Sequence, residues 1–143
     1  MFNEKEILHL LQRILDILER AFAITDFVLY QRIGDFITMA ITGVQAGATG
    51  TFQIGFVPPN GVPLPTPPTV SVDDTANVTL GPVSTDGNFT FTATVLATDP
   101  NTSFNVTVSG TNAVGTALSH TFNVPVIAAP PPQITDFTLN QLS

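Results

Sequence analysis

The sequence has neither cysteine nor tryptophan, and charged side chains make up only 10% of its 143 residues. Without cysteine there are no disulfides and no thiolate chemistry, so packing alone must hold the fold together. The charged fraction is well below the roughly 25% that is usual for soluble domains. Thr, Val, Phe, Gly and Pro replace the helix-favouring Lys and Glu, which is the composition of an all-β protein.

Basic residues are also scarce, and all four lie near the start of the chain: Lys5, Arg13, Arg20 and Arg32. The formal net charge is −7. This charge repels phosphate backbones and anionic headgroups, which argues against a nucleic-acid partner and against an electrostatic membrane anchor. Acidic and polar side chains interrupt the first 23 residues, so we expect no signal peptide in this stretch.

Apolar and polar residues alternate almost regularly from Asn88 to Val126. A period of two with Thr, Asn and Ser on the other face predicts antiparallel strands buried on one side. The inward residues of the three predicted strands are Phe89, Phe91, Ala93 and Val95, then Phe104, Val106 and Val108, then Phe122, Val124 and Val126.

Shorter alternating segments add strands at 37–41, 52–56, 70–72 and 78–80. Pro58 to Pro68 contains six prolines, which lack the amide donor that a central strand needs, so it is predicted to be an extended loop. About seven short strands separated by turn signals are typical of an antiparallel β-sandwich. The fold class is therefore predicted to be mainly β, with a helix in front.

The first 23 residues form the predicted amphipathic helix, with Asn3 as N-cap and Glu4 and Glu6 in the first turn. Its apolar face is too wide for a two-stranded seam, which favours a homo-oligomer of three or more chains. A helix folded over its own domain is the alternative, and the mixed charge of the polar strip argues against a membrane-surface helix. The predicted oligomerisation residues are Ile7, Leu8, Leu11, Ile14, Leu15, Leu18 and Phe22.

The predicted domains are a helix at 1–23, a connector at 24–36, a sandwich at 37–127, and a Pro-rich linker with a C-terminal strand at 128–143. The connector could extend the helix, start a second helix or form a strand. Ile24–Phe27 recurs as Ile134–Phe137, with Leu and Gln following at matching offsets. This repeat indicates the opening strand of a further module or arises by chance; a real strand would pair in its own sheet or on a neighbouring subunit.

Several segments of the predicted sandwich resemble the last three strands of bacterial and phage immunoglobulin-like domains. They are Phe91–Val95, Asp99–Phe104, Asn105–Asn112 and Ser119–Val124. That family has a two-sheet Greek-key sandwich, occurs on microbial surfaces and virions, and usually lacks catalytic residues. The chain has no Cys pair and no Trp, and Tyr30 precedes the predicted sandwich, so the resemblance does not extend to antibody domains.

No residue set has the spacing of a catalytic triad or a metal site. His120 is in phase with Leu118 and Phe122, which predicts a buried or half-buried histidine bonded to backbone rather than a metal ligand, since His9, the other histidine, lies on the helix. Oxygen-rich loops can hold calcium, but turn chemistry explains these better. The loop residues concerned are Asp73, Asp74, Asp86, Asp99 and Asn101.

From these features we expect a non-enzymatic structural or assembly protein without cofactors or a bound metal. Its helix would self-associate and display an immunoglobulin-like domain, as in a virion decoration, fibre or surface-appendage subunit. The alternative is a monomeric adhesion module whose helix packs on its own sandwich and whose loops bind a glycan or a protein. Either function favours a virion or extracellular surface.

Overall fold

The computed structural model describes residues 1–137 and contains one N-terminal helix followed by two β-sheets. A mainly β chain with a leading helix is therefore confirmed. In chain order the elements are α1 (Glu4–Ala21), β1 (Asp26–Ile33), β2 (Phe36–Thr38), β3 (Val44–Gln45), β4 (Thr49–Val57), β5 (Thr69–Val72), β6 (Val78–Leu80), β7 (Thr90–Val95), β8 (Ser103–Thr111) and β9 (Ala117–Ile127).

The two sheets share one hydrophobic core. The five-stranded sheet has the order β2-β1-β4-β7-β6, and the four-stranded sheet has the order β3-β9-β8-β5. All neighbouring strands are antiparallel except β3, which runs parallel to β9. Phe52 and Phe91 stack in this core with ring centroids 5.5 Å apart, and Phe104 contributes from the opposite sheet.

Strands β7, β8 and β9 follow the alternation that the sequence predicts. Phe91, Ala93 and Val95 are buried on β7, as are all three inward residues of β8, whereas Phe122 and Val126 flank the core on β9. The proline-rich residues 58–68, all within the described chain, contain no strand beyond one isolated bridge at Val62.

Of the three conformations left open for the connector at 24–36, the structure shows a strand, because residues 26–33 form β1. This strand pairs with β4 along seven positions and places Phe27, Leu29 and Gln31 inward. The alternation of apolar and polar residues is weak in β1, because the polar Gln31 lies on the inner face and the apolar Val28 lies on the outer face. Tyr30 therefore lies within the sandwich rather than before it.

The strand predicted at 37–41 is only partly formed. β2 covers Phe36–Thr38 at the edge of the five-stranded sheet, and Ile37 and Met39 are exposed. The chain then bends toward the other sheet, where Val44 and Gln45 pair with the end of β9. Residues 39–41 of the predicted strand lie in this crossing and are not in a strand, and β3 lies beyond the predicted range.

The chain enters and leaves the sandwich at opposite ends. Asp26 pairs with Val57 at the end where α1 joins, which we call the helix end. Ile127 finishes β9 beside Gln45 at the opposite end, which we call the tail end. Residues 134–137 of the predicted C-terminal strand are not in a strand, and its residues 138 and 139 lie outside the described residues.

Candidate self-association surface

Helix α1 begins with a complete capping box. The Asn3 Oδ1 accepts a hydrogen bond from the Glu6 backbone N–H at 2.9 Å, and the Glu6 carboxylate accepts one from the Asn3 N–H at 3.0 Å. Glu4 and Glu6 stabilise the positive end of the helix dipole, while Arg20 lies in the last turn. The predicted cap at Asn3 is thus confirmed.

The apolar side of α1 is exposed along its whole length. In the described chain no α1 residue is buried, and no helix has the length and apolarity required to cross a bilayer. We use the term α1 apolar face for the seven predicted oligomerisation residues, whose exposed fractions range from 45% to 69%. They are Ile7, Leu8, Leu11, Ile14, Leu15, Leu18 and Phe22.

Charge is distributed unevenly between α1 and the remainder of the protein. The helix carries four acidic and three basic side chains, whereas the residues after it carry seven acidic and one basic. Copies of α1 can therefore approach one another with little net repulsion, while the sandwiches repel one another.

Hydrogen bonds fix the point where α1 joins the sandwich. The Val62 N–H donates to the Phe22 carbonyl at 2.8 Å, and the Thr25 N–H donates to the Val57 carbonyl at 2.7 Å. Ile24 is buried, and a Cβ on Gly61 would lie 2.9 Å from both its Cγ1 and the Phe22 oxygen. Only glycine allows the loop to approach this closely.

Asn112 connects this junction to the opposite sheet. Its Nδ2 donates to the Ile24 carbonyl at 3.0 Å, and its Oδ1 accepts from the Thr116 N–H at 2.8 Å. The side chain is buried and its hydrogen bonds are made. No local sequence pattern marks the role of Asn112, because its partner is 88 positions away along the chain.

His120 and Asp26 form a partly exposed pair at the helix end. The His120 Nδ1 lies 2.8 Å from the Asp26 Oδ1, and its ring stacks on Phe122 at 4.4 Å. The hydrogen bond from His120 and a second one from the Phe27 N–H lower the pKa of Asp26. The histidine is half-buried as expected, but its partner is a carboxylate rather than backbone.

The five loop residues considered as calcium ligands are divided between the two ends of the sandwich. Asp73, Asp74, Asp99 and Asn101 lie in loops at the tail end, whereas Asp86 lies in the β6–β7 loop at the helix end. Each aspartate accepts hydrogen bonds from nearby side chains or amides, as in ordinary turns. Examples are the Asn105 amide on Asp73 at 2.7 Å and the Asn101 amide on Asp74 at 2.7 Å.

These hydrogen bonds lower the pKa of Asp73, through the Asn105 backbone and side chain, and the pKa of Asp86, through Ser84 and Asn88. Among the described residues, no three His, Asp or Glu side chains come together in a way that could hold a metal ion. The most prominent surface feature of residues 1–137 is the α1 apolar face.

The chain matches no protein-family model, no curated protein and no solved structure.

Proposed function

We propose that this chain is a non-enzymatic assembly protein whose α1 self-associates into a bundle of three or more copies and displays an immunoglobulin-like domain. Its role is that of a virion decoration, a fibre or a surface-appendage subunit. The observation that carries the proposal is the α1 apolar face, which is exposed although the sandwich buries its own core completely.

The strand order supports an immunoglobulin-like domain. Leaving out the short β2 and β3, the sheets read β1-β4-β7-β6 and β9-β8-β5. Numbered along the chain as strands A to G, the strands read A-B-E-D and G-F-C, and this order supports the proposal because constant-type immunoglobulin sandwiches have it. The parallel β3–β9 pair adds a short first-strand segment to the second sheet.

The residue types on α1 favour a bundle over a pair of helices. Steps of four and three residues place Leu11 and Leu18 at heptad position a, and Ile7, Ile14 and Ala21 at position d. Leucine at a with isoleucine at d shifts coiled coils toward trimers and tetramers. Leu8 and Leu15 at e, with Leu10 and Ile17 at g, widen the seam so that each helix can contact more than one neighbour.

The short length of α1 also favours packing against a partner. Its 18 residues extend about 27 Å, and isolated helices of this size gain little stability in water without packing. Full burial of each Leu or Ile stabilises a protein by about 1.5–3 kcal/mol. The described chain does not bury these side chains of α1, so this stabilisation is not gained within one chain. Copies of the same helix would supply it.

The position of α1 suits display. The helix leaves from one end of the sandwich and the C-terminal segment leaves from the other, so a bundle of helices holds each sandwich by one end. The bonds at Phe22, Ile24 and Thr25 keep that attachment fixed. Repulsion between the acidic sandwiches then favours outward separation of the displayed domains.

Two double variants of the full chain test self-association. Leu11→Gln with Leu18→Gln changes the centre of the α1 apolar face, and His9→Gln with Arg20→Gln changes the opposite strip. Glutamine is a good helix former in both, so helix propensity is matched. The first variant should weaken association by about 3–6 kcal/mol per chain and give single chains by light scattering, whereas the second keeps the wild-type mass.

Both variants should retain the thermal unfolding of the sandwich, because no α1 side chain contributes to its core. Equal masses for the two variants would contradict the proposal. A loss of sandwich stability confined to the leucine variant would instead favour a helix that packs on its own domain.

A further inference from the structure

The edge of the five-stranded sheet at β2 is open and apolar. β2 pairs with β1 on one side and has no neighbouring strand on the other. On β2, Phe36 and Ile37 are 77% and 51% exposed, and Met39, directly after the strand, is 74% exposed. An open edge with exposed apolar side chains is a template for pairing with another chain.

The other sheet edges carry features that oppose such pairing. β5 is preceded by Pro67 and Pro68 and followed by Asp73 and Asp74, and Pro82 lies two residues after β6. β3 consists of two residues only. Proline, charge and shortness are the usual means of protecting an edge strand. β2 is also short, but it contains neither a proline nor a charged side chain.

The backbone of Ile37 faces the open side of β2. Gly34, with φ 60°, takes the first position of a two-residue turn between β1 and β2, as in a type II′ hairpin. Ile33 and Phe36 close this turn as a hydrogen-bonded pair. Because hydrogen-bonded and non-hydrogen-bonded pairs alternate, the next pair, Arg32 and Ile37, directs its N–H and carbonyl groups away from each other. Those of Ile37 can therefore bond another strand.

We infer that β2 pairs antiparallel with β2 of a second copy of this chain, about a two-fold axis at Ile37. The two Ile37 residues exchange both of their backbone hydrogen bonds, and Phe36 lies opposite Thr38 of the second copy. Each copy offers the same residues, so the contact is isologous and closes on itself. It joins two five-stranded sheets into one continuous sheet, which is a form of strand addition.

Apolar side chains meet on both faces of this pair. On the outer face the two Ile37 side chains lie directly opposite each other. On the inner face the two Phe36 rings are diagonal neighbours about 7–8 Å apart, a separation that aromatic side chains bridge. Ile33, which is 49% exposed, extends the inner patch beside Phe36. With Met39 these side chains expose on the order of 500 Å² per copy, so the pair buries up to about 1,000 Å², the lower end for a specific interface.

Charge complementarity favours a second copy as the occupant of this edge. Arg32 is the one basic residue after α1, it lies beside Ile37, and within residues 1–137 it makes no ion pair. In the two-fold pair, Asp35 of the second copy lies opposite Met39. The spacing and rise of the strands put its Cα about 12 Å from the Cα of Arg32, which the two side chains can span. Each interface therefore contains two Arg32–Asp35 pairs.

The β2 edge and α1 can associate at the same time. The turn between β1 and β2 lies at the tail end, whereas α1 joins the sandwich at the helix end. Two-fold contacts between bundles of three or more chains connect each bundle to its neighbours and extend into a layer or close into a shell. This consequence rests on the proposed function, but the pairing of β2 does not.

A single cysteine tests the position of the two-fold axis, because the chain has no cysteine of its own. Ile37→Cys in the full chain places two thiols on Cα atoms about 5.5 Å apart, within the range that a disulfide spans. We expect a covalent dimer as the main product of air oxidation, measured by denaturing gel electrophoresis. The matched control is Leu96→Cys, which lies at the same end, is 49% exposed and should remain mostly monomeric.

Association through β2 is measured in the full chain with Leu11→Gln and Leu18→Gln, where α1 no longer forms a bundle. Such a small interface is weak, so single chains should prevail at micromolar concentration and dimers should form toward about 1 mM, as followed by sedimentation equilibrium. Adding Ile37→Lys puts like charges directly opposite each other and should lower the association constant about tenfold or more. Leu96→Lys is the control and should leave the association constant within about twofold of its value.

A charge reversal tests the register in the same α1 variant. Arg32→Glu brings two carboxylates within reach of each other and should weaken the dimer, and adding Asp35→Arg should restore it. Thermal unfolding at low concentration checks that each variant is folded.

The inference is overturned if Ile37→Cys gives no more covalent dimer than Leu96→Cys, or if the two lysine variants associate alike. A chain that stays monomeric at about 1 mM overturns it as well. If Asp35→Arg does not restore the dimer, the two-fold register is wrong. Failure of α1 to self-associate is distinct, because it appears as equal masses of the wild type and the α1 variant at micromolar concentration.

Discussion

Helix α1 and strand β1 are neighbours in the chain and both are rich in apolar residues, but only β1 is covered by the rest of the protein. Phe27 and Leu29 lie in the shared core, whereas Leu11 and Leu18, at the centre of the α1 apolar face, are about half exposed. The sandwich completes its core without α1. The apolar residues of β1 therefore contribute to folding, whereas those of α1 remain available for association.

The largest expected effect is the loss of stability when a side chain of the sandwich core is removed. Phe52→Ala removes a fully buried ring that stacks on Phe91, and we expect a loss of about 3–5 kcal/mol in the free energy of unfolding. The matched control is Phe36→Ala on β2, where the ring is exposed and the change should be within about 0.5 kcal/mol. Urea unfolding measures both, and comparable losses would contradict the assignment of the core.

A substitution at the junction between α1 and β1 should lower the stability of the fold by a smaller amount. Asn112→Ala leaves the Ile24 carbonyl and the Thr116 N–H without their buried partner, at a cost of about 1–3 kcal/mol. Asn88→Ala is the control, since Asn88 is an exposed loop asparagine at the same end. Thermal unfolding compares the two, and the mass of the assembly should not change. A stable Asn112→Ala protein would show that the junction does not depend on this side chain.

The smallest expected effect concerns the Asp26–His120 pair. Its hydrogen bonds lower the pKa of Asp26 in the folded protein, so they stabilise the fold above the usual aspartate pKa of about 3.9. This contribution is lost as the pH falls below that value toward the lowered pKa. For so exposed a pair it amounts to at most about 1 kcal/mol.

Asp26→Asn should therefore be slightly less stable than the wild type at pH 5 and indistinguishable from it at pH 2, as measured by thermal unfolding at each pH. Asp35→Asn, in the turn between β1 and β2, is the control and should show no comparable pH-dependent difference. A deficit of Asp26→Asn that persists unchanged at pH 2 would assign its effect to something other than ionisation.

Local patterns predicted the parts of the fold in which each residue has one simple role. The strict alternation in β7 and β8 was sufficient, as was Asn3 followed by two glutamates for the start of the helix. For β1 a strand was only one of three alternatives, because Gln31 faces inward to bond Gly43 and Tyr30 faces outward to cover Gly55. Those roles depend on segments that only the folded chain brings together.

The α1 apolar face could be listed from the sequence, because heptad spacing places its residues on one side of a helix. Whether the sandwich covers that face depends on where α1 leaves the domain. The bonds that set this position involve Val62 and Asn112, far along the chain. Long-range contacts of this kind have no local sequence signal.

The mass of the full chain in solution, measured by light scattering over a dilution series, tests the central claim most directly. We predict a mass of three or more times the 15.1 kDa of one chain, falling toward a single chain only on strong dilution. A mass of 15.1 kDa at every concentration would contradict self-association through α1.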